Sequence, residues 1–151
     1  MKNWNEKPAY RIETDRLILR CYNPEDVDLL EKSITESLEH LKPWMPWVHE
    51  EPEPIEKKIK RLRQFRAKFD LDQEYIYGVF NHSETELLGG CALHPRVGKN
   101  ALEIGYWINV NHINKGLGTE LSSALTRIGF ELHNLKRMEI HCDPNNKASA
   151  A

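Results

Sequence analysis

The residues able to do chemistry crowd into one stretch, Glu103 to Thr119, which reads EIGYWINVNHINKGLGT. Glu103 is a carboxylate inside an otherwise apolar run. An acid there either faces a cleft, where it can take a proton, or is ion-paired with a neighbouring element, and both readings stand at this point. Tyr106 could donate a proton or touch a substrate, or it could pack. Further on, Gly116-Leu117-Gly118 opens a helical pattern, because Leu117, Leu121, Ala124, Leu125, Ile128 and Leu132 share one helical face. A strand feeding a glycine-bearing turn and a helix start makes an anion site. The first N–H groups of the helix lack intrahelical partners, its dipole is positive there, and glycines admit phosphates close to the backbone. Gly-x-Gly alone also fits a helix that merely begins with glycines. Neither a Walker loop nor the GxGxxG dinucleotide fingerprint is present.

The wider stretch narrows the choice. EIGYWI, a polar turn and NKGLGTEL together resemble the acetyl-CoA-binding segment of the GNAT N-acetyltransferase superfamily, most of all its ribosomal-protein Nα-acetyltransferase branch. ETDRLILR near the start resembles that group's first strand, and LKPWMPW resembles its acceptor-side loop. The family loop Gln/Arg-x-x-Gly-x-Gly/Ala is matched here by Ile113-Asn114-Lys115-Gly116-Leu117-Gly118, except that Ile113 replaces Gln or Arg. Asn114 stands where many members have Gly, and Asn tolerates the left-handed conformation. Ile113 removes a side-chain donor. Because backbone N–H groups do most of the binding in the family, weakened cofactor binding is the expectation.

The resemblance implies that a primary amine attacks the thioester of acetyl-CoA, the cosubstrate. Pyrophosphate would rest on the N–H groups from Ile113 and Asn114 through Lys115, Gly116, Leu117 and Gly118 to Thr119, with Lys115 as a nearby cation. Pantetheine would add to a splayed strand edge through the backbone of Ile108 and Val110. Asn146 would hold a pantetheine amide, and Ser149 would cap the next helix or touch the cofactor. Glu103 would act as base through water, and N–H groups near Ile108 would hold the oxyanion. Trp44 and Trp47 would wall the acceptor site, or else only anchor their loop. Tyr106 remains a weaker substrate contact. The acids Glu50, Glu51 and Glu53 could attract an amine, but complementing the next helix's N-terminus is the favoured reading.

The elements that position these residues follow from periodicity. A strand is expected over about Arg16 to Tyr22, then a helix capped by Asn23-Pro24 and running to about Ser37, burying Val27, Leu30 and Ile34. Pro54 to Phe69 reads as an amphipathic helix with Ile55, Ile59, Leu62, Phe65 and Phe69 inward. Its basic face, Lys57, Lys58, Lys60, Arg61, Arg63, Arg66 and Lys68, reads as solvated, so nucleic acid is an unfavoured partner. Glu74 to Asn81, Glu86 to Val97 and Ala101 to Ile108 read as antiparallel strands. Gly89 and Gly90 suggest a bulge or close approach, and Gly98-Lys99-Asn100 suggests a hairpin. Lys136 to Cys142 reads as a further strand, parallel to its neighbour through a right-handed crossover. The predicted fold is α/β: a mixed, mostly antiparallel GNAT sheet with helices on both faces.

The chain has 151 residues, 40% hydrophobic, and a formal charge of −2, which suits one domain and shows no global preference for nucleic acid. Cys21, Cys91 and Cys142 are widely spaced and odd in number, which fits a reducing compartment. No apolar leader or membrane-length stretch is seen, so a cytoplasmic protein is expected. His112, His133 and His141 are scattered, and no spacing suggests zinc. By the resemblance, residues 1–151 form a single GNAT domain that is incomplete at its C-terminus. It would lack a helix, two strands and the usual general-acid tyrosine, and the edge left open would allow a homodimer or strand exchange. Three functions remain: acetylation of a protein's α-amine, perhaps a ribosomal one; acetylation of a small amine such as a polyamine or antibiotic; or acyl-CoA binding without catalysis.

Overall fold

The computed structural model describes residues 10–47, 51, 53–95, 101–132 and 137–140. Its strands are β1 (Arg11–Glu13), β2 (Ile18–Cys21), β3 (Tyr75–Phe80), β4 (Leu87–His94), β5 (Ala101–Ile108) and β6 (Arg137–Ile140). They form one sheet in the order of the sequence. Every neighbouring pair is antiparallel except β5 and β6, which are parallel across the helical crossover. The helices are α1 (Val27–Leu41), α2 (Ile55–Asp70) and α3 (Leu117–Leu132).

Alternation along each strand divides the side chains between two cores. Leu19, Tyr77, Val79, Leu93 and Ile104 meet Leu117, Leu121 and Leu125 of α3. Ile18, Phe80 and Leu87 meet Leu30 and Ile34 of α1 and Leu62 of α2. Leu121 and Leu125 have no exposed surface, and burying each contributes roughly 1.5–3 kcal/mol. β4 is buried along nearly its whole length because helices cover both its faces.

The elements depart from the sequence expectation in places, each with a physical cause. β1 has no periodic signal, because only Ile12 of its three residues points inward. The first helix begins with a single 3-10 turn, Pro24–Asp26, and continues past Ser37 to Leu41. Ser33 and Ser37 lie on its buried face and bond to neighbouring elements there, so two polar residues hide the apolar stripe. The basic face of α2 is not uniformly solvated. Lys58 is 1% exposed and lies 2.5 Å from Glu51 Oε2 and 3.3 Å from Glu31 Oε2. Arg61 reaches Glu53 at 2.6 Å. Glu51 and Glu53 are therefore engaged by cations of the helix they precede. The expected hairpin at Gly98-Lys99-Asn100 lies outside the described residues, as does Glu50.

Candidate active site

β5 carries the site, and its two faces do different work. Glu103, Gly105 and Trp107 share the α1/α2 face, while Ile104, Tyr106 and Ile108 share the α3 face. β6 pairs with β5 only from Ala101↔Arg137 to Ile104↔Ile140. Gly105 to Ile108 have no β6 partner among the described residues, whereas β4 accompanies β5 to Ile108. The N–H of Asn109 bonds the Leu88 carbonyl at 2.7 Å. By the alternation of an antiparallel ladder, the backbone N–H and C=O groups of Tyr106 and Ile108 then face away from β4, toward the unpaired side. A ligand with amide groups can pair with that edge as a strand would.

Buried polar groups fix the end of β5. Asn109 is 1% exposed; its Nδ2 donates to Ser33 Oγ at 2.9 Å and its Oδ1 accepts from the Asn111 N–H at 2.8 Å. Ser33 Oγ donates to the Leu87 carbonyl, and the Val110 N–H donates to Ser37 Oγ, both at 2.9 Å. Val110 lies in a 3-10 turn after the strand, and its N–H is committed to α1, so only its carbonyl is left to pair with a ligand. His112 Nε2 sits 2.7 Å from Glu86 Oε1, tying the following turn to the start of β4.

The turn then enters α3 through two left-handed residues, Asn114 at φ 62° and Gly116 at φ 78°. Gly116 is exposed, and the Glu120 N–H closes the first helical bond on its carbonyl at 3.0 Å. The N–H groups of Gly116, Leu117, Gly118 and Thr119 are thus the ones the helix leaves without a carbonyl. Gly118 has a different reason to be glycine: a Cβ there would lie 3.1–3.3 Å from the Tyr106 ring and hydroxyl. Tyr106 packs against the start of α3, on the sheet face opposite Glu103. Ile113 is half-buried, and Lys115 is exposed beside the loop.

Sequence reasoning missed Arg16. Its guanidinium donates to the Lys115 carbonyl at 2.7 Å and pairs with Glu120 Oε1 at 2.7 Å. Its Nη2 lies 3.5 Å from where a Gly116 Cβ would stand. A cation therefore sits at the glycine loop although Ile113 supplies none. Glu120 also accepts from the Thr14 hydroxyl and, at 3.0 Å, from the Arg16 N–H. Burial opposes its charge, but these three donors hold its carboxyl below the usual range. A lowered folded-state pKa contributes stability above the ordinary glutamate value, about 4.3, and loses it as pH falls through the folded value. Glu120→Gln should therefore melt below the parent at neutral pH, and the gap should close under acid, as melting curves from pH 7 to pH 3 would show.

On the other face, the Trp47 ring meets that of Trp107 in a tilted contact, with centroids 5.9 Å apart and 58° between the planes. A Cβ on Gly90 would lie 2.5 Å from Trp107 Nε1, so Gly90 makes room for this indole, while a Cβ on Gly89 would meet the Trp107 backbone carbonyl. The register also shifts there, with Leu88 left between the Val79↔Gly89 and Phe80↔Leu87 pairs. Trp44 is half-buried in the turn closing α1, and among the described residues only Trp47 of the two makes a ring contact. Glu103 is 7% exposed and engaged in an interaction, and His94 stands opposite it in the β4–β5 register. Asn146 and Ser149 lie outside the described residues. The structure thus brings Glu103, Trp47 and Trp107 to one face of β5, and Tyr106, Gly116 and Gly118 to the other.

The comparisons agree with this geometry. The family model described as acetyltransferase (GNAT) domain matches residues 16–151. A probable N-acetyltransferase of Bacillus subtilis, YjcK, is 30% identical over 98 residues, covering 63% of this chain and 54% of that protein. The chain thus spans about half the length of that relative. The [ribosomal protein uS5]-alanine N-acetyltransferase of Escherichia coli is 26% identical over 147 residues, covering 94% of this chain and 74% of that protein. Among solved structures, RimL, a ribosomal L7/L12 α-N-protein acetyltransferase in complex with coenzyme A, superposes with a TM-score of 0.82. It is 20% identical, and the match covers 93% of this chain and 78% of that one. No helix among the described residues is long and apolar enough to cross a membrane. The chain belongs to the GNAT acetyltransferase domain family, whose enzymes take acetyl-CoA as acetyl donor.

Proposed function

We propose that this chain transfers the acetyl group of acetyl-CoA to the α-amine of a protein N-terminus, a ribosomal protein being the first acceptor to try. The observation that carries the reading is the continuity of β5's unpaired edge with the Gly116 loop. One strand thereby offers an amide-pairing edge and, one turn later, an anion site. When bound, acetyl-CoA supplies a thioester carbonyl open to attack by a free amine. Gly116 to Thr119 hold its phosphates through their N–H groups, with Arg16 and Lys115 adding positive charge. The Tyr106 and Ile108 backbone pairs with its amide-bearing arm.

The acceptor enters from the other face. Trp47 and Trp107 give an apolar wall to the first side chains of a peptide, and Glu103 draws the ammonium and takes its proton through water. A protein acceptor is favoured over a polyamine because the relatives that cover nearly the whole chain include a ribosomal-protein alanine acetyltransferase. In this reading the chain acts as one domain.

The test is thiol release from acetyl-CoA with short peptides beginning in alanine or serine, set against spermidine. Peptides should turn over faster; spermidine as the better acceptor would reverse the assignment. Glu103→Gln should lower kcat by about 100-fold, the size of a lost general base, with acetyl-CoA affinity within two-fold by calorimetry. An unchanged kcat would remove Glu103 from the chemistry.

A further inference from the structure

His94 closes β4 on the face that carries Glu103 and Trp107, and its surroundings orient it. Its Nδ1 lies 2.8 Å from Glu74 Oε2. An ionised carboxylate only accepts, so Nδ1 carries the ring's hydrogen and Nε2 keeps its lone pair. Among the described residues Nε2 has no hydrogen-bond partner of its own. It stands over Gly105, 3.3 Å from where a Cβ would be. Chain neighbours aside, the only other atom of the described residues within 4 Å of that point is Cδ2 of the same ring, at 3.6 Å. Space is therefore left over Gly105, and a lone pair borders it. Gly105 is the first residue of β5 beyond its pairing with β6 and, like Trp107, is only half-buried. Glu103 lies two residues before it and Trp107 two residues after it on the same face, each about 7 Å along the strand. A mere tie between β3 and β4 needs Nδ1 alone; it gives no reason for Nε2 to border a gap where the paired sheet ends.

We propose that the gap over Gly105 seats the acceptor's ammonium and that His94 Nε2 accepts one of its N–H hydrogen bonds, with Glu74 holding the ring in the accepting tautomer. The inference rests on the acetyltransferase reading above and adds a substrate contact, His94, and a positioning residue, Glu74, to it. A primary ammonium has three N–H groups. His94 holds one of them. A second loses its proton through water to Glu103, and the electron pair left on nitrogen forms the bond to the thioester carbonyl carbon. For a peptide the contact selects a free N-terminus, because an acetylated one carries no charge and presents a single amide N–H. The seat also depends on residue 105 having no side chain, since a Cβ there would occupy the space the nitrogen needs.

The test is the nitrogen-15 spectrum of the histidine rings in the coenzyme A complex, the His94 signals being those lost in His94→Phe. Nδ1 should carry the hydrogen, and Nε2 should shift when an alanine-initiated hexapeptide is added to saturation. The same peptide with its N-terminus acetylated should leave Nε2 unmoved. No shift with the free peptide, or an equal shift with both, would overturn the contact. Thiol release from acetyl-CoA gives a second readout. His94→Phe keeps a ring without the lone pair and should lower kcat/KM for the hexapeptide about 30-fold, the size of a lost hydrogen bond to a charged group, chiefly through KM. Gly105→Ala leaves the His94–Glu74 pair in place but fills the gap, and should raise that KM at least about ten-fold. Both variants should bind acetyl-CoA within two-fold of the parent by calorimetry. A parental KM in either would overturn the seat. Failure of the underlying reading looks different: the parent would then bind no acetyl-CoA, and enzyme and seat would fall together. A shift of Nε2 with spermidine in place of the peptide would keep the contact and reverse only the choice of acceptor.

Discussion

Gly116→Glu should abolish acetyl-CoA binding, raising Kd by at least about 100-fold. Two separate effects add. Gly116 has φ 78°, and a left-handed conformation costs a residue with a Cβ about 1–2 kcal/mol. The new carboxylate would also stand at the mouth of the loop proposed to accept phosphate. Two like charges about 4 Å apart at a protein surface repel by roughly 4 kcal/mol at an effective dielectric of 20. Part of that repulsion is relieved if the carboxylate turns to Arg16, whose Nη2 is 3.5 Å from the Cβ position. Gly116→Ala separates the two terms, since it keeps the strain without the charge and should cost no more than about thirty-fold. Calorimetry with acetyl-CoA on both variants decides. Binding by Gly116→Glu within three-fold of the parent would remove this loop from the cofactor site.

Lys58→Ala should destabilise the fold as much as truncating an apolar core residue of α2. Lys58 is 1% exposed, and Glu51, its partner at 2.5 Å, has a side chain only 3% exposed. Removing one member of a buried pair leaves the other charged and desolvated, at a cost of about 3–5 kcal/mol. For a chain of this size that lowers Tm by roughly 10 °C. Replacing both members removes the stranded charge, so Lys58→Met with Glu51→Gln should recover most of the loss. Urea unfolding of the single and double variants gives the coupling directly. A Lys58→Ala cost below about 1 kcal/mol would mean that water reaches Glu51 and the pair is not a buried one.

How much of this was legible in the sequence depended on whether the signal was local. β5 and α3 are legible because a β-branched and aromatic run and a long apolar stripe are properties of neighbouring residues. Asn114 was expected to tolerate a positive φ and has one. Arg16 was invisible as a site residue, because its partners Lys115 and Glu120 lie about a hundred positions away. Lys58 reads like any cation on a solvated face, since Glu51 meets it only in three dimensions. Trp107 reads in the sequence as part of a strand pattern, and only the sheet register brings Gly90 beneath its indole. Pattern reveals which face a residue takes; the residue it meets on that face is set by how the strands are joined.

The arrangement of the strands in sequence order also bears on how the chain reaches its working form. β3, β4 and β5 are joined by short connections and pair with their immediate neighbours, so this part of the sheet can zip together from local contacts as it leaves the ribosome. The anion loop cannot be finished that way. Its clamp links Thr14 and Arg16 to Glu120, separations of 106 and 104 residues, and loop-closure entropy makes such contacts late ones. The central sheet would therefore form before the cofactor site is secured. A nascent chain shorter than about Glu120 would hold the Trp107 face while lacking the clamp on the loop proposed to grip phosphate.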